Sequence, residues 1–470
     1  MNVIVRPPIN THLGLPGAEY MLRFTGNSYS HCDGIKRRTF LVAGAMGFSG
    51  LTLADMLRLE AAQGTGRSQK AIINVHLDGG PPQLDTIDMK MSAPTEIRGE
   101  FFPIATKLPG FQVCELMPKL AAQADQFTFI RSLVGSAGAH NAFQCQSGFP
   151  SKDLKSFGGR PAMGSIVGKL LGKTADVAPP FVDLMQGRPL VRNSARPGFL
   201  GPSFSAFRPD ISKMFARELE TGMKGELARL GGNHATSLKL NESLSADRLN
   251  SRTSLLSGLD RIKRRIDASG MMDAMDLNKE DPAVLARYTA PSKPDDKDQF
   301  ATAEGRMSSR KFLLARRLVE AGVRCVSVSI SDFDTHSKNF PRMKNLLPIV
   351  DHGLCTLVED LAERGMLDDV SIVVWGEFGR TPRIDPKSGG RHHWPRVGPA
   401  LLAGGGMKTG QVIGSTDRIA SAVVNRPVHY KDIFATLYAN LGIDALNTTL
   451  IDPQGRPQYL LDGGEPLSEV

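Results

Sequence analysis

An apolar run that ends in a carboxylate is a natural place to look for chemistry, and "VVWGEFGRTP", Val373 to Pro382, is such a run. A carboxylate at the end of a buried strand must be solvated, paired or bound to a metal, because an isolated buried charge is costly. Arg380, three residues beyond Glu377, offers an ion pair at the sheet edge. Arg380 and Arg383 equally offer guanidinium forks that match a phosphate or sulfate group. "GRHHWP", Gly390 to Pro395, follows closely and brings two adjacent histidines. Neighbouring side chains of extended backbone point apart. One histidine, His393, is therefore expected to join Glu377, and His392 to stay outside.

Residues two apart in extended chain share a face. "SISDFDTHSKNF" places Asp334 and His336 in that relation, with Asp332 just ahead of them. A carboxylate and an imidazole converging there suit Zn²⁺ first, with calcium, magnesium or manganese as alternatives. Aspartates capping a turn are the competing explanation. Asp78, in "HLDGG", is another strand-end carboxylate, and its glycines allow close backbone approach. Asp85 and Asp88 follow as turn or supporting residues. This glycine pair is no phosphate-cradling loop, because the Gly-Lys-Ser/Thr tail is missing. "SAGAHNAFQCQSG" holds His140 in a small-residue loop with Ser136 and Asn141. His140 can be read as a ligand, a general acid or base, a nucleophile's neighbour, or a hydrogen-bonded loop residue. No G-x-S-x-G elbow occurs, which leaves an α/β-hydrolase triad without support.

These groups can act together only if the chain gathers them. Strands are expected at Ala71–Leu77, Phe127–Leu133, within "VRCVSVSIS", within "SIVVWG" and within "PALLAGGG". "RKFLLARRLVEAG", "LCTLVEDLAERGMLDDV" and "KDIFATLYANLGI" read as helices between them. Strand and helix alternate in both terminal thirds, the pattern of an α/β layer fold with a mostly parallel sheet. In such sheets ligands collect beyond the carboxyl ends of the strands. Asp78, the Ser136–Asn141 loop, the Asp332–His336 cluster and Glu377 each follow an expected strand, so four strand ends can deliver polar groups to one crevice. Residues 207–317 read as a charged helical insertion, with Asp281–Asp298 as a linker or exposed loop.

The 470 residues, 41% hydrophobic and 22% charged, are the composition of a globular chain with a sizeable core. The net charge of +9 is modest, and no dense Lys/Arg run interleaved with aromatics suggests nucleic acid. Cys114, Cys145, Cys325 and Cys355 show no C-x-x-C spacing, so thiolate metal ligation is not expected. At the N-terminus Arg37 and Arg38 precede an apolar run from Phe40 to Leu53, too short for a membrane span and built like an export signal. The paired arginines resemble the twin-arginine signal, which implies that export machinery as a partner and a periplasmic or extracellular destination. The expected division is a signal region over residues 1–65 and one domain over 66–470, with no stable transmembrane segment after processing.

Five motifs in order, "DGGPPQLDTIDMK", "EIRGEFFPIATKLPGFQVCELMPKLA", "FDTHSKNF", "GEFGRTP" and "GRHHWP", closely resemble the exported bacterial proteins of the domain-of-unknown-function 1501 family. The resemblance runs from about residue 36 to the C-terminus. That family is itself similar to the alkaline phosphatase and sulfatase superfamily. The resemblance implies a three-layer sandwich with one or two divalent metals beside a nucleophile, hydrolysing phosphate or sulfate esters of small molecules or polysaccharides. It implies metal ligation by Asp78, Asp334, His336 and Glu377, a site that His393 would complete, and a nucleophile position near Ser136 or Ala137. Either Ser136 attacks, His140 assists a metal-bound hydroxide, or catalysis is lost, with Arg380 stabilising charge on the transferred group. Glu377 stands where sulfatases carry an aspartate, and Phe378 where they carry a histidine, so that ligand has no counterpart. "QSGFP", Gln146 to Pro150, is similar to the stretch that follows the sulfatase nucleophile, yet no Cys-x-Pro-x-Arg motif accompanies it. Formylglycine chemistry is therefore not expected. The alternative is an exported envelope or polysaccharide-binding protein that keeps the fold without turnover.

Overall fold

A computed structural model describes residues 70–154, 158–172, 178–186, 195–212, 214–215, 270–291 and 302–470, besides two two-residue strand pieces at Leu22–Arg23 and Val42–Ala43. The chain divides into Met1–Ser68 and Gln69–Val470. The twin-arginine pair and all of its apolar run except Val42–Ala43 lie outside the described residues.

Eight strands form the central sheet of the second unit: β1 Ala71–Leu77, β2 Thr128–Val134, β3 Phe181–Asp183, β4 Cys325–Ile330, β5 Val370–Trp375, β6 Gly398–Gly404, β7 Gln411–Ile413 and β8 Val428–His429. Their order is β7-β2-β6-β5-β1-β4-β3, with β8 also pairing β2. Every pairing is parallel except those of β6 with β5 and β2. Since β6 runs against both neighbours, β2 has the same sense as β5, β1 and β4. Four of the strands that precede polar loops thus end at one edge of the sheet.

Alternation of side chains builds the layers. Ala71, Ile73 and Val75 of β1, with Val370, Ile372 and Val374 of β5, enter one hydrophobic cluster. That cluster also takes in helix α2, Arg310–Glu320, and helix α3, Asn339–Glu363. Ile72, Val373 and Trp375 point the other way, into a cluster with helix α1, Met163–Leu171, and helix α4, Tyr430–Asn440. A strand buried on both faces must be apolar almost throughout, which is why these read as unbroken Val/Ile runs. The result is a three-layer α/β sandwich with a mixed, mostly parallel sheet.

Two sequence expectations change. Helix α3 begins fifteen residues before the expected "LCTLVEDL" segment and contains Pro348. The proline reads as a breaker in sequence, but the apolar face on either side of it, Met343, Leu346, Leu347, Ile349, Val350 and Leu354, is buried and carries the helix through. The supposed linker Asp281–Asp298 contains a helix, Pro282–Arg287. Asp281 caps it by accepting from the Ala283 N–H at 2.7 Å, and Pro282 occupies the first turn, where its missing N–H costs nothing. Cys114, Cys145, Cys325 and Cys355 are buried free thiols.

Candidate metal centre

The carboxyl ends of β1 and β4 continue their pairing past the strands. The Asp78 N–H donates to the Ile330 carbonyl at 2.9 Å, and the Phe333 N–H to the Asp78 carbonyl at 3.0 Å. This lays Asp334 against the Gly79–Gly80 turn. Gly79 (φ +108°) packs so closely that a Cβ there would lie 2.2 Å from the Asp334 nitrogen. A Cβ on Gly80 (φ +85°) would strike the Phe378 ring at 2.5 Å. Only glycine fits either position. The turn aims its backbone at the next strand end, with the Gly79 N–H donating to both Glu377 carboxylate oxygens, at 3.0 and 3.3 Å.

The β2 loop arrives from the other side. Gln144 holds it, donating to the Gly135 carbonyl and accepting from the Ala137 N–H at 2.9 Å. Ser136 ties it to β5 by donating to the Glu377 carbonyl at 2.5 Å, and accepts from the Gly138 N–H at 3.1 Å. The Tyr430 hydroxyl, at the start of α4, fixes the same strand end through the Gly376 carbonyl at 2.7 Å. Glu377 and Phe378 are followed by a two-strand ribbon, Gly379–Arg380 against His393–Trp394, with Arg380 opposite His393. The ribbon is what returns His393 to the cluster, where its ring stacks on Phe378 at 4.2 Å between centroids.

Two groups of potential ligands result, and His140 joins them. One is His76, Asp78 and Glu377, all buried; the other is His140, Asp334, His336 and His393. Glu377 approaches His76 Nε2 at 3.3 Å and His140 Nδ1 at 3.2 Å. The opposite nitrogen of His140 lies 3.2 Å from Asp334, whose other oxygen is 3.2 Å from His336 Nε2 and 3.5 Å from His393 Nε2. His336 Nε2 and His393 Nε2 are 2.9 Å apart.

The electrostatics follow from this crowding. Burial alone would push His140 down, but Asp334 and Glu377 on its two nitrogens outweigh it and raise its pKa to about 9. Burial works against ionising Asp334 and Glu377, yet the imidazoles, with Arg380 beside Asp334, hold both well below the usual carboxylate range. His336 is pushed down to about 4, chiefly by desolvation, with Arg380 and the other histidines overcoming the pull of Asp334.

The donor set fits a divalent cation. Imidazole nitrogens and carboxylate oxygens converge without thiolates, which suits Zn²⁺ or Mn²⁺ chemistry. His76 is fully buried and its Nδ1 has no hydrogen-bond partner, a cost that a ligand role for the ring would offset.

Several sequence-derived residues sit differently from expectation. Arg380 is fully buried, and its guanidinium donates to the carbonyls of Gly79, Gly80 (3.2 Å) and Arg391 (2.9 Å) and to Asp334 at 2.7 Å. A fork so engaged holds Asp334 in place. Asp332 turns away from the cluster, with φ +79°, to pair with Arg342 of α3 and accept from the Ala303 N–H at 3.1 Å. Asp85 forms a buried two-pronged pair with Arg391, at 2.8 and 2.9 Å, and also accepts from Asn339 at 2.8 Å.

His76 was missed. Its signal was the same spacing of two, His76-Leu77-Asp78, that singled out Asp334 and His336. His392 was expected outside, yet its Nδ1 lies 2.8 Å from His336 Nδ1. The His336 ring meets both His392 and His393, one histidine with each nitrogen.

The sequence matches, over residues 69–470, the family described as "Protein of unknown function (DUF1501)". No curated protein matches it. Among solved structures it is similar to the PsFucS1 sulfatase of a Pseudoalteromonas species, with a TM-score of 0.35 and 12% identity, over 83% of this chain and 70% of that one. A protein in the alkaline phosphatase superfamily from Vibrio parahaemolyticus gives a TM-score of 0.35 at 12% identity, covering 80% and 67%. The C-terminal periplasmic domain of EcEptC from Escherichia coli, in complex with Zn, gives 0.33 at 10% identity, covering 84% and 90%.

Proposed function

From the premise that this chain belongs to the DUF1501 family, we propose that it is an exported, metal-dependent hydrolase of phosphate or sulfate esters. The observation that carries the reading is the gathering of His76, Asp78, His140, Asp334, His336 and Glu377 from four strand ends, with His393 from the ribbon, into two ligand groups joined by one imidazole. His76, Asp78 and Glu377 would hold one cation, and Asp334, His336 and His393 a cation on the other side of His140. A divalent cation there supplies Lewis acidity, drawing charge from an ester oxygen and lowering the pKa of a water.

The chain's own part is orientation and charge. Arg380 holds Asp334, and the Gly79 N–H holds Glu377, so the carboxylates meet a cation without first reorganising. His140, between the two groups, is the residue able to hold or release a proton at the centre. Ser136 enters as the anchor of the His140 loop, since its proton goes to a backbone carbonyl and not to a base. Substrates are small-molecule or polysaccharide esters. Export rests on Arg37, Arg38 and the apolar run after them. Among the described residues no helix is long and apolar enough to cross a membrane.

That engagement of the Ser136 hydroxyl also favours a second reading, an exported envelope or polysaccharide-binding protein without turnover. The two separate by experiment. Protein purified without added metal is analysed for metal content, then assayed on aryl phosphate and aryl sulfate. Bound zinc or manganese with turnover that Glu377→Ala abolishes supports the hydrolase. Bound metal with no turnover on either ester favours the binding protein, and absence of metal after zinc titration removes both ligand groups from consideration.

A further inference from the structure

Outside the two ligand groups, one chain of contacts has no part in the function proposed above. It begins at Asp385, in the loop between the ribbon strands. The Asp385 Oδ1 accepts from the Lys387 N–H at 2.8 Å, which leaves Oδ2 facing His392 Nε2 at 3.1 Å. The His392 backbone is fixed to Thr381 from both sides, its N–H donating to the Thr381 hydroxyl at 3.0 Å and its carbonyl accepting from the Thr381 N–H at 2.9 Å. His392 Nδ1 then meets His336 Nδ1 at 2.8 Å, and His336 Nε2 faces Asp334 and His393.

We propose that Asp385 and His392 are positioning residues that fix His336 as its Nδ1–H tautomer, so that the Nε2 lone pair faces the ligand group. The inference follows from donor and acceptor arithmetic. An ionised carboxylate only accepts, so the proton of neutral His392 sits on Nε2, toward Asp385. Its Nδ1 is then bare. Two bare nitrogens cannot face each other at 2.8 Å, so His336 carries its proton on Nδ1, and its Nε2 is left bare. In a metal-free protein His393 can donate to that nitrogen from 2.9 Å.

Two carboxylates thus compete over the His336 proton. Asp334 would draw it to Nε2, where it would block coordination, whereas Asp385 draws it to Nδ1 through His392. Asp334 already accepts from Arg380 at 2.7 Å and faces His140, which reduces its claim. Outer partners of this kind usually set the tautomer and orientation of a ligating histidine, and their loss typically costs about 10–100-fold in metal affinity. Here the partner carboxylate acts at one remove, through a second imidazole.

The proposal rests on the cation-site reading only in its effect on affinity; the tautomer is a property of the metal-free chain. Both are measured on the full chain. Nitrogen-15 spectra of histidine-labelled, metal-free protein, with His336 assigned by its loss in His336→Gln, should show Nε2 unprotonated. In Asp385→Ala and His392→Leu that nitrogen should gain proton character. Titration with Zn²⁺ alone should show affinity about 10–100-fold weaker in both variants. His392→Asn, whose side-chain oxygen can accept from His336 Nδ1, should recover most of the loss. His392 is half exposed, so its replacement leaves no core cavity.

A wild-type His336 protonated at Nε2 would overturn the proposal, as would a tautomer and zinc affinity unchanged in both variants. Should the wild type bind no zinc while the tautomer shifts as described, the relay stands and the metal reading fails. Should His392→Leu not fold, Asp385→Ala and His392→Asn decide the matter alone.

Discussion

At the scale of single residues, the centre is a lattice of mutual obligations. Glu377 serves His76, His140 and the Gly79 N–H together, and Asp334 serves His140, His336, His393 and Arg380. Removing one buried partner leaves the others uncompensated, which is why such networks respond to single substitutions out of proportion to any one contact. Ser136 is the exception. Its hydroxyl bonds to backbone on both counts, so Ser136→Ala should leave hydrolysis of the best aryl ester within about tenfold of wild type, set against the 10³-fold or greater loss expected for a nucleophile. Steady-state kcat decides between anchor and nucleophile.

At the scale of elements, the turn after β1 and the packing of α3 each carry a prediction. Gly79→Ala would place a methyl 2.2 Å from the Asp334 nitrogen at a φ of +108°. Strain and displaced backbone together should cost about 3 kcal/mol or more in urea unfolding. Zinc binding should be lost even where the chain still folds, because Glu377 and Asp334 both lean on that turn. Asp351 of α3 accepts from the Leu120 N–H at 2.7 Å and the Lys119 N–H at 3.1 Å, capping the short helix Pro118–Ala122. Burial nonetheless raises its pKa to about 6 against those hydrogen bonds. A group raised in the folded state stabilises it below the unfolded pKa, near 4, and that contribution is lost as pH rises through about 6. The stability of wild type relative to Asp351→Asn should therefore be greater at pH 4.5 than at pH 7, by about 3 kcal/mol at most. An equal difference at both pH values would mean that Asp351 titrates normally.

At the scale of the whole molecule, the ligands come from opposite ends of the sequence: β1 begins near residue 70 and the ribbon ends near residue 394. A cation that binds only the assembled centre stabilises the entire fold by mass action, by about 2.7 kcal/mol when free metal is a hundred times its dissociation constant. Chelator should therefore lower the midpoint of thermal unfolding by several degrees, and added zinc should restore it. In Glu377→Gln the chelator effect should shrink or vanish. A midpoint indifferent to chelator in the wild type would contradict a folded-state metal centre.

Much of this was already determined by the sequence. Unbroken apolar runs such as Ala71–Leu77 and Val370–Trp375 announce strands buried on both faces, because only a layer on each side can use side chains of that kind in both directions. The carboxylates and imidazoles that follow them are legible for the same reason, as polar groups with no business at the end of a core strand unless something pairs with them. Register and contact were not legible. The antiparallel insertion of β6 shows in no periodicity. The continuity of α3 through Pro348 depends on helices and strands it packs against. Arg380 reads equally as an ion-pair partner or an anion receptor, and only the fold shows the carbonyls of Gly79, Gly80 and Arg391 around it. His392 reads as a bystander until the ribbon brings it to His336. Local sequence specifies which groups a strand end carries, whereas the partners of those groups are set by chain segments up to three hundred residues away, and only folding brings those within bonding distance.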